Sequence, residues 1–188
     1  MNFPIANTLT VARIAMIPLV VVLFYLPAQW SNPAAGLVFA LAAITDSLDG
    51  YLARRLGQIS ALGAFLDPVA DKLMVATALV LVASRDPRWF IVLSAAVIIG
   101  REITISALRE WMAGIGASTK VRVSGLGKLK TIAQMTGLSL LLFREDLLGL
   151  PIYEIGIVAT VLAAALTLWS MIAYLRTAWP DLTSDAAP

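Results

Sequence analysis

Long apolar runs, separated by short polar or proline-containing breaks, fill most of this chain and restrict its fold more than any other feature. A helix needs roughly 20 apolar residues to cross the hydrocarbon core of a bilayer. Of the 188 residues 60% are hydrophobic, and the mean hydropathy is +0.86, which a water-soluble surface does not allow. We therefore predict an all-α polytopic membrane protein, a bundle of about six transmembrane helices, with spans near 7–26, 34–54, 63–84, 89–111, 126–143 and 152–175.

Basic residues are distributed unevenly, although 14 of them nearly balance 12 acidic residues. The breaks after the first, third and fifth predicted spans contain only Arg85, Arg88 and Arg144 as basic residues, and most of the others lie at the opposite ends of the spans. Because basic residues concentrate on the cytoplasmic side of membrane proteins, both termini are predicted to be cytoplasmic. The near balance of charge does not indicate a nucleic-acid partner, and we predict none.

The chain contains no cysteine and no histidine. Disulfides, thiolate nucleophiles and thiolate metal sites are excluded, and so are imidazole bases and imidazole ligands. Any acid–base or metal chemistry must therefore come from carboxylates. We predict one transmembrane domain over residues 1–180 and a small, polar, disordered tail at 181–188.

Four aspartates in one stretch are the candidate functional residues. Asp46 and Asp49 lie three residues apart near the end of the second predicted span, and Asp67 and Asp71 lie four apart near the start of the third. Each spacing places both carboxylates of a pair on one helix face. The short connection predicts that the two spans pack as antiparallel neighbours, so that four carboxylates meet. Such a cluster favours a hard divalent cation, Mg²⁺, Mn²⁺ or Ca²⁺.

These features also have purely structural interpretations. The aspartates could form salt bridges with Lys72, Arg54 and Arg101, but four acids exceed these local partners. Gly50 and Gly63 either leave room for a ligand or allow close helix packing. Arg54, at the end of the second span, is interpreted as a contact for a ligand phosphate.

The aspartates belong to a longer pattern, which reads Asp46-Ser-Leu-Asp49-Gly50-Tyr-Leu-Ala53-Arg54, eight residues, and Gly63-Ala-Phe-Leu-Asp67-Pro-Val-Ala-Asp71. This pattern resembles the signature of the CDP-alcohol phosphatidyltransferases at every specified position. The resemblance implies a six-span homodimer in the inner (cytoplasmic) cell membrane. It also implies a cytoplasm-facing polar cavity that binds two divalent ions, Mg²⁺ or Mn²⁺, and the pyrophosphate of a CDP-lipid.

The same resemblance implies roles for single residues. The metal ligands would be Asp46, Asp49, Asp67 and Asp71, and Asp71 would also be the general base, unless its role is metal coordination alone. The CDP-lipid site would be formed by Asp46, Asp49, Gly50, Ala53, Arg54 and Gly63.

The flanking segments resemble the branch of the family whose acceptor is glycerol 3-phosphate, over most of residues 3–145. The implied reaction transfers a phosphatidyl group from CDP-diacylglycerol to sn-glycerol 3-phosphate, giving phosphatidylglycerophosphate and CMP without a covalent enzyme intermediate. An acceptor phosphate requires cations near the carboxylates, and the candidates are Arg101, Arg109, Lys128, Lys130, Thr10, Arg13 and Thr131. Arg101 lies in an apolar run beside Glu102, so either a bound anion or an internal ion pair must balance its charge.

Two other interpretations stay open. The same chemistry could use a different acceptor, such as phosphatidylglycerol, inositol phosphate or serine. Alternatively, the carboxylates could form the transport site of a divalent-cation transporter, which would leave the basic residues between 101 and 130 unexplained.

Overall fold

The structure, a computed structural model, describes the backbone of residues 5–56, 61–114 and 125–182. These ranges form α1 (Ile5–Tyr25), α2 (Ser31–Leu56), α3 (Ala61–Arg85), α4 (Trp89–Gly114), α5 (Gly125–Phe143) and α6 (Ile152–Leu182). They contain no β-strand, so the predicted all-α class is confirmed, and each predicted span corresponds to one helix. Helix α6 extends two residues into the segment that was predicted to be a tail, and residues 183–188 lie outside the described ranges.

Among the described residues, two helices meet the length and composition expected of a membrane span. They are α4 and the part of α6 between Ile152 and Thr177. Within the described residues, Thr10–Tyr25 and Leu129–Phe143 are apolar but shorter. Large apolar side chains such as Val22, Leu41, Val80 and Leu162 are exposed on the outer surface of the bundle, as expected where the surroundings are lipid. A membrane protein is therefore indicated, and crossing by all six helices stays a prediction.

Helix α1 is the element that connects the two aspartate-bearing helices. It packs against both α2 and α3, whereas α2 and α3 are not among the helix pairs that pack closely over the described residues. The expectation that these two helices are direct packing neighbours is therefore corrected, because a short connection limits the distance between helix ends but does not exclude a third helix. The remaining close pairs are α2 with α5, α5 with α6, α4 with α6, and α3 with α4 and α5.

Glycines allow three helices to approach closely. A Cβ at Gly36 on α2 would lie 2.6 Å from the backbone nitrogen of Phe143, at the end of α5. A Cβ at Gly137 on α5 would lie 2.9 Å from the backbone nitrogen of Thr160 on α6. Small residues at such contacts permit the close backbone packing that stabilises helix association in membranes.

Arg85 fixes the helix ends on the side opposite the aspartates. Its guanidinium donates to the backbone carbonyl of Phe24, in the last turn of α1, and to Asn32 Oδ1 at 2.6 Å, in the first turn of α2. The last carbonyls of a helix lack partners within the helix, so the contact with Phe24 satisfies one of them. One side chain therefore holds three helices together at this end.

Candidate active site

Three of the four predicted metal-binding aspartates have described side chains, and the fold places these three in one region of the bundle. Asp46 on α2 is close enough to interact electrostatically with Asp67 and Asp71, which both lie on α3. Asp71 also interacts with Glu102 on α4. Carboxylates from three helices therefore share one region of the bundle.

Helix α1 supplies the nearest polar partners of these carboxylates. Arg13 Nη1 lies 2.5 Å from Asp46 Oδ1, and the hydroxyl of Thr10 donates to Asp67 Oδ1. Thr10 and Arg13 are almost completely buried, with exposed fractions of 1% and 2%. Sequence reasoning placed both residues at the acceptor phosphate; the structure shows their contacts with the carboxylates, and the acceptor-phosphate role stays a prediction. Because α1 contacts both α2 and α3, these contacts fix the relative positions of the two aspartate pairs.

The described side chains include three of the four predicted metal ligands. Among the described side chains, no three carboxylates lie close enough together to hold a metal ion. The side chain of Asp49 lies outside that set, together with those of Ala53, Arg54 and Lys128. The available donors are carboxylate oxygens without sulfur or imidazole, which is the donor chemistry that Mg²⁺ and Mn²⁺ prefer.

Glu102 is the centre of a second charged group beside the aspartates. Its Oε1 lies 2.8 Å from Arg101 Nη1 and 3.2 Å from Lys130 Nζ. Lys130 lies on α5 and is 5% exposed, so its charge is balanced inside the protein. Of the two possibilities for Arg101, an internal ion pair is formed in the structure. Arg109, by contrast, is exposed two turns further along α4.

A small polar cavity of about 40 Å³ lies beside Asp71, between α3, α4 and α5. Its polar lining consists of Asp71, Lys72, Glu102, Lys130, Thr131 and Gln134. Lys72 donates to Ser106 Oγ at 2.5 Å. The cavity therefore joins the predicted general base to two predicted acceptor-phosphate candidates, Lys130 and Thr131.

Sequence reasoning missed two residues of this cavity wall. Glu102 was considered only as a partner of Arg101, and its contact with Lys130 joins residues 28 positions apart. Gln134 was not considered at all. A signal for Gln134 was present, because it is a polar residue in an apolar run four positions after Lys130 and so lies on the same helix face.

Comparison with known proteins identifies the family of the chain. A sequence model of the CDP-alcohol phosphatidyltransferases matches residues 3–169. Similar proteins cover 97% of this chain and 98% of their own length, with 51% identity for Escherichia coli (strain K12), 54% for Sodalis glossinidius and 53% for Pectobacterium atrosepticum. All three are named CDP-diacylglycerol--glycerol-3-phosphate 3-phosphatidyltransferase.

The match extends far beyond the aspartate pattern and covers most of the chain. Together with the all-helical fold and the carboxylates gathered from α2 and α3, it shows that the chain belongs to the CDP-alcohol phosphatidyltransferase family. The protein is therefore a transferase of an integral-membrane family.

Proposed function

We propose that the protein transfers a phosphatidyl group from CDP-diacylglycerol to sn-glycerol 3-phosphate, which gives phosphatidylglycerophosphate and CMP. The observation that carries this proposal is the similarity, over nearly the whole chain, to relatives whose name states this donor and this acceptor. The structure supports it with a carboxylate region that borders a cavity lined by basic residues.

Asp71 is the residue to which we assign the proton transfer. The primary hydroxyl of the acceptor attacks the phosphorus of the phosphatidyl group, its proton passes to an Asp71 carboxylate oxygen, and the bond to the CMP phosphate breaks. CMP leaves with the bridging oxygen and its electron pair. Asp71 lines the cavity that also contains Lys72 and Lys130, so the base lies beside cationic groups suited to the acceptor phosphate.

The same carboxylates would hold two divalent ions, Mg²⁺ or Mn²⁺, with Asp46, Asp49, Asp67 and Asp71 as the ligands. Such ions, when bound, neutralise the pyrophosphate of the donor and stabilise the leaving CMP. Thr10 and Arg13 orient Asp67 and Asp46 from α1.

The donor and the acceptor occupy opposite flanks of this region in our proposal. The CDP-lipid is bound along the aspartate helices by Asp46, Asp49, Gly50, Ala53, Arg54 and Gly63. Arg101 and Lys130 attract the acceptor phosphate, with Arg109 and Lys128 nearby in sequence. Arg101 Nε is buried without a hydrogen-bond partner among the described residues, and a guanidinium with an unused N–H donor suits a phosphate.

We also propose an arrangement of the protein in the membrane. All six helices cross the inner membrane as one domain, both termini are cytoplasmic, and two copies form a homodimer. Arg88 and Arg144 lie 6.0 and 5.2 Å from the ring centroid of Tyr153, and Arg85 interacts with Arg144. The three arginines thus lie at the end of the bundle opposite the aspartates. In the proposed topology this end is extracytoplasmic, and the positive-inside rule expects few basic residues there.

Acceptor-dependent release of CMP tests the reaction. Purified protein in detergent is given CDP-diacylglycerol and Mg²⁺, and CMP is measured with and without glycerol 3-phosphate. We expect wild-type release only when the acceptor is present, and a loss of at least about a hundredfold in Asp67→Asn, because one ligand of the metal clamp is removed.

Asp86→Asn is the matched control, since it makes the same chemical change at the far end of α3, about 28 Å from Asp67 by helix rise. It should keep most of the activity. Release with serine, inositol phosphate or phosphatidylglycerol, but not with glycerol 3-phosphate, would reject the acceptor. Metal flux without any CMP would support the transporter interpretation.

Labelling of single cysteines tests the topology, because the native chain has none. Asp146 follows α5 and Thr177 lies near the end of α6, and both are exposed. A membrane-impermeant maleimide should label Asp146→Cys in intact cells and Thr177→Cys only after permeabilisation. The reverse pattern would place the termini outside the cytoplasm.

A further inference from the structure

Gln134 is a buried polar residue that the mechanism above does not use. It lies on α5, is 5% exposed, and its Oε1 has no hydrogen-bond partner among the described residues. Leaving a buried acceptor unpaired costs about 1–3 kcal/mol. Because glutamine is expensive at such a position unless something pairs with it, a ligand group that donates a hydrogen bond is the natural partner.

The position of Gln134 restricts what that ligand group can be. Gln134 lines the 40 Å³ cavity together with Asp71. This volume exceeds the roughly 10–15 Å³ that one water molecule requires, and it is far too small for a nucleotide or an acyl chain. A single hydroxyl-bearing carbon next to the reacting group is of the right size.

Three of the four charged side chains of the cavity wall, those of Lys72, Glu102 and Lys130, already have partners. Glu102 is paired with Lys130 at 3.2 Å and with Arg101 at 2.8 Å, and Lys72 is hydrogen-bonded to Ser106 at 2.5 Å. Gln134 Oε1 is different from these groups, since it is buried, neutral and without a partner among the described residues. It can therefore accept a hydrogen bond from a substrate without first breaking an internal contact.

We propose that Gln134 is a specificity residue that accepts a hydrogen bond from the secondary hydroxyl, at C2, of the acceptor glycerol 3-phosphate. The inference rests on the proposed function, in which Asp71 takes the proton of the primary hydroxyl. The two hydroxyls are on adjacent carbons, so both fall within reach of groups that line one small cavity. Gln134 then distinguishes glycerol 3-phosphate from phosphorylated alcohols that lack the neighbouring hydroxyl.

The test compares two acceptors that differ only in this hydroxyl. CMP release from CDP-diacylglycerol is measured with glycerol 3-phosphate and with 3-hydroxypropyl phosphate, and kcat/KM is determined for each. The wild type should prefer glycerol 3-phosphate by at least about tenfold, since a site built to bind a hydroxyl discriminates against a ligand without it. In Gln134→Met, which is similar in length and has no acceptor oxygen, the preference should fall to within about twofold.

Thr167→Val is the control, because it removes a different buried polar group, a hydroxyl without a hydrogen-bond partner among the described residues, on α6 and outside the cavity lining. It should retain the wild-type preference. Should Gln134→Met fail to fold, Gln134→Leu gives the same comparison. A merely structural Gln134 would lower both kcat/KM values together, so an unchanged ratio in a folded variant would overturn the proposal. Absence of CMP release from the wild type with glycerol 3-phosphate would instead reject the proposed function.

Discussion

The close contact of α2 with α5 at Gly36 makes a simple substitution informative. In Gly36→Ala the added Cβ would lie 2.6 Å from both the backbone nitrogen and the Cβ of Phe143, and 2.7 Å from its Cα. Carbon atoms prefer separations of about 3.5–4.0 Å. The neighbouring atoms are mostly backbone and cannot rotate away, so the end of α5 must retreat by about 1 Å.

Such overpacking costs about 1–3 kcal/mol. For a chain of this size, 1 kcal/mol corresponds to a shift of about 2–4 °C in the midpoint of thermal unfolding. We therefore expect Gly36→Ala to lower the midpoint by about 4–8 °C for a mid-range cost of 2 kcal/mol. The measurement is thermal unfolding of the purified protein in one detergent, followed by circular dichroism or by loss of the monodisperse chromatographic peak.

Gly100→Ala provides the same chemical change without the clash. A Cβ at Gly100, within α4, meets no described atom within 4 Å. Replacing glycine by alanine inside a helix stabilises it by about 0.5–1 kcal/mol, so the midpoint should stay the same or rise. If Gly36→Ala were as stable as Gly100→Ala, the close approach of α2 and α5 would be refuted.

Two shorter predictions concern the ion pairs. Hydrogen bonds from the Arg88 side chain are the main reason that the pKa of Asp86 is lowered to about 2. Because the pKa is lower in the folded protein, the ionised carboxylate stabilises the fold at pH values above its ordinary pKa. This stabilisation should disappear as the pH falls from about 4 to 2. The difference in thermal midpoint between the wild type and Asp86→Asn, measured against pH, should shrink over that window and stay constant above it. At the other end of the bundle, Arg13→Met should destabilise the protein by about 3 kcal/mol, the low end for breaking a buried pair, because the Asp46 side chain remains 37% exposed. Arg13→Lys should fold, yet release CMP at least about tenfold more slowly, since lysine lacks the planar guanidinium; equal activity of Arg13→Lys and wild type would argue against a positioning role.

Helix positions were largely predictable from the sequence, whereas helix contacts were not. Apolar runs and the proline-containing breaks define the helices to within about three residues, because both are properties of a local stretch of chain; the exception is α6, which ends seven residues after its predicted end at 175. The packing of α1 against both α2 and α3 depends on side chains from segments that are distant in the sequence. Gly36 shows the limit, because nothing in its own sequence neighbourhood indicates that its partner is Phe143.

The candidate site shows the same division. Spacing alone identified Asp46, Asp67 and Asp71 as residues that could meet, and the structure brings them into one region. The contacts of Thr10 and Arg13 could not be obtained in this way. A polar or basic residue that contacts an anionic substrate and one that contacts a carboxylate of the protein look the same in the sequence. The three-dimensional structure shows that Arg13 contacts Asp46, which the sequence pattern alone did not indicate.

The charges of the described site constrain how its ligands can enter. Four acids and four bases come together here, namely Asp46, Asp67, Asp71 and Glu102 with Arg13, Lys72, Arg101 and Lys130. Taken together they carry no net charge, so adding a lone divalent cation or a lone phosphate dianion would leave an uncompensated charge in a poorly solvated region, at considerable cost. Two divalent cations, a dianionic pyrophosphate and a dianionic acceptor sum to zero. In the proposed reaction, a described site already balanced by its own side chains therefore favours binding of the cations and both substrates as one neutral set.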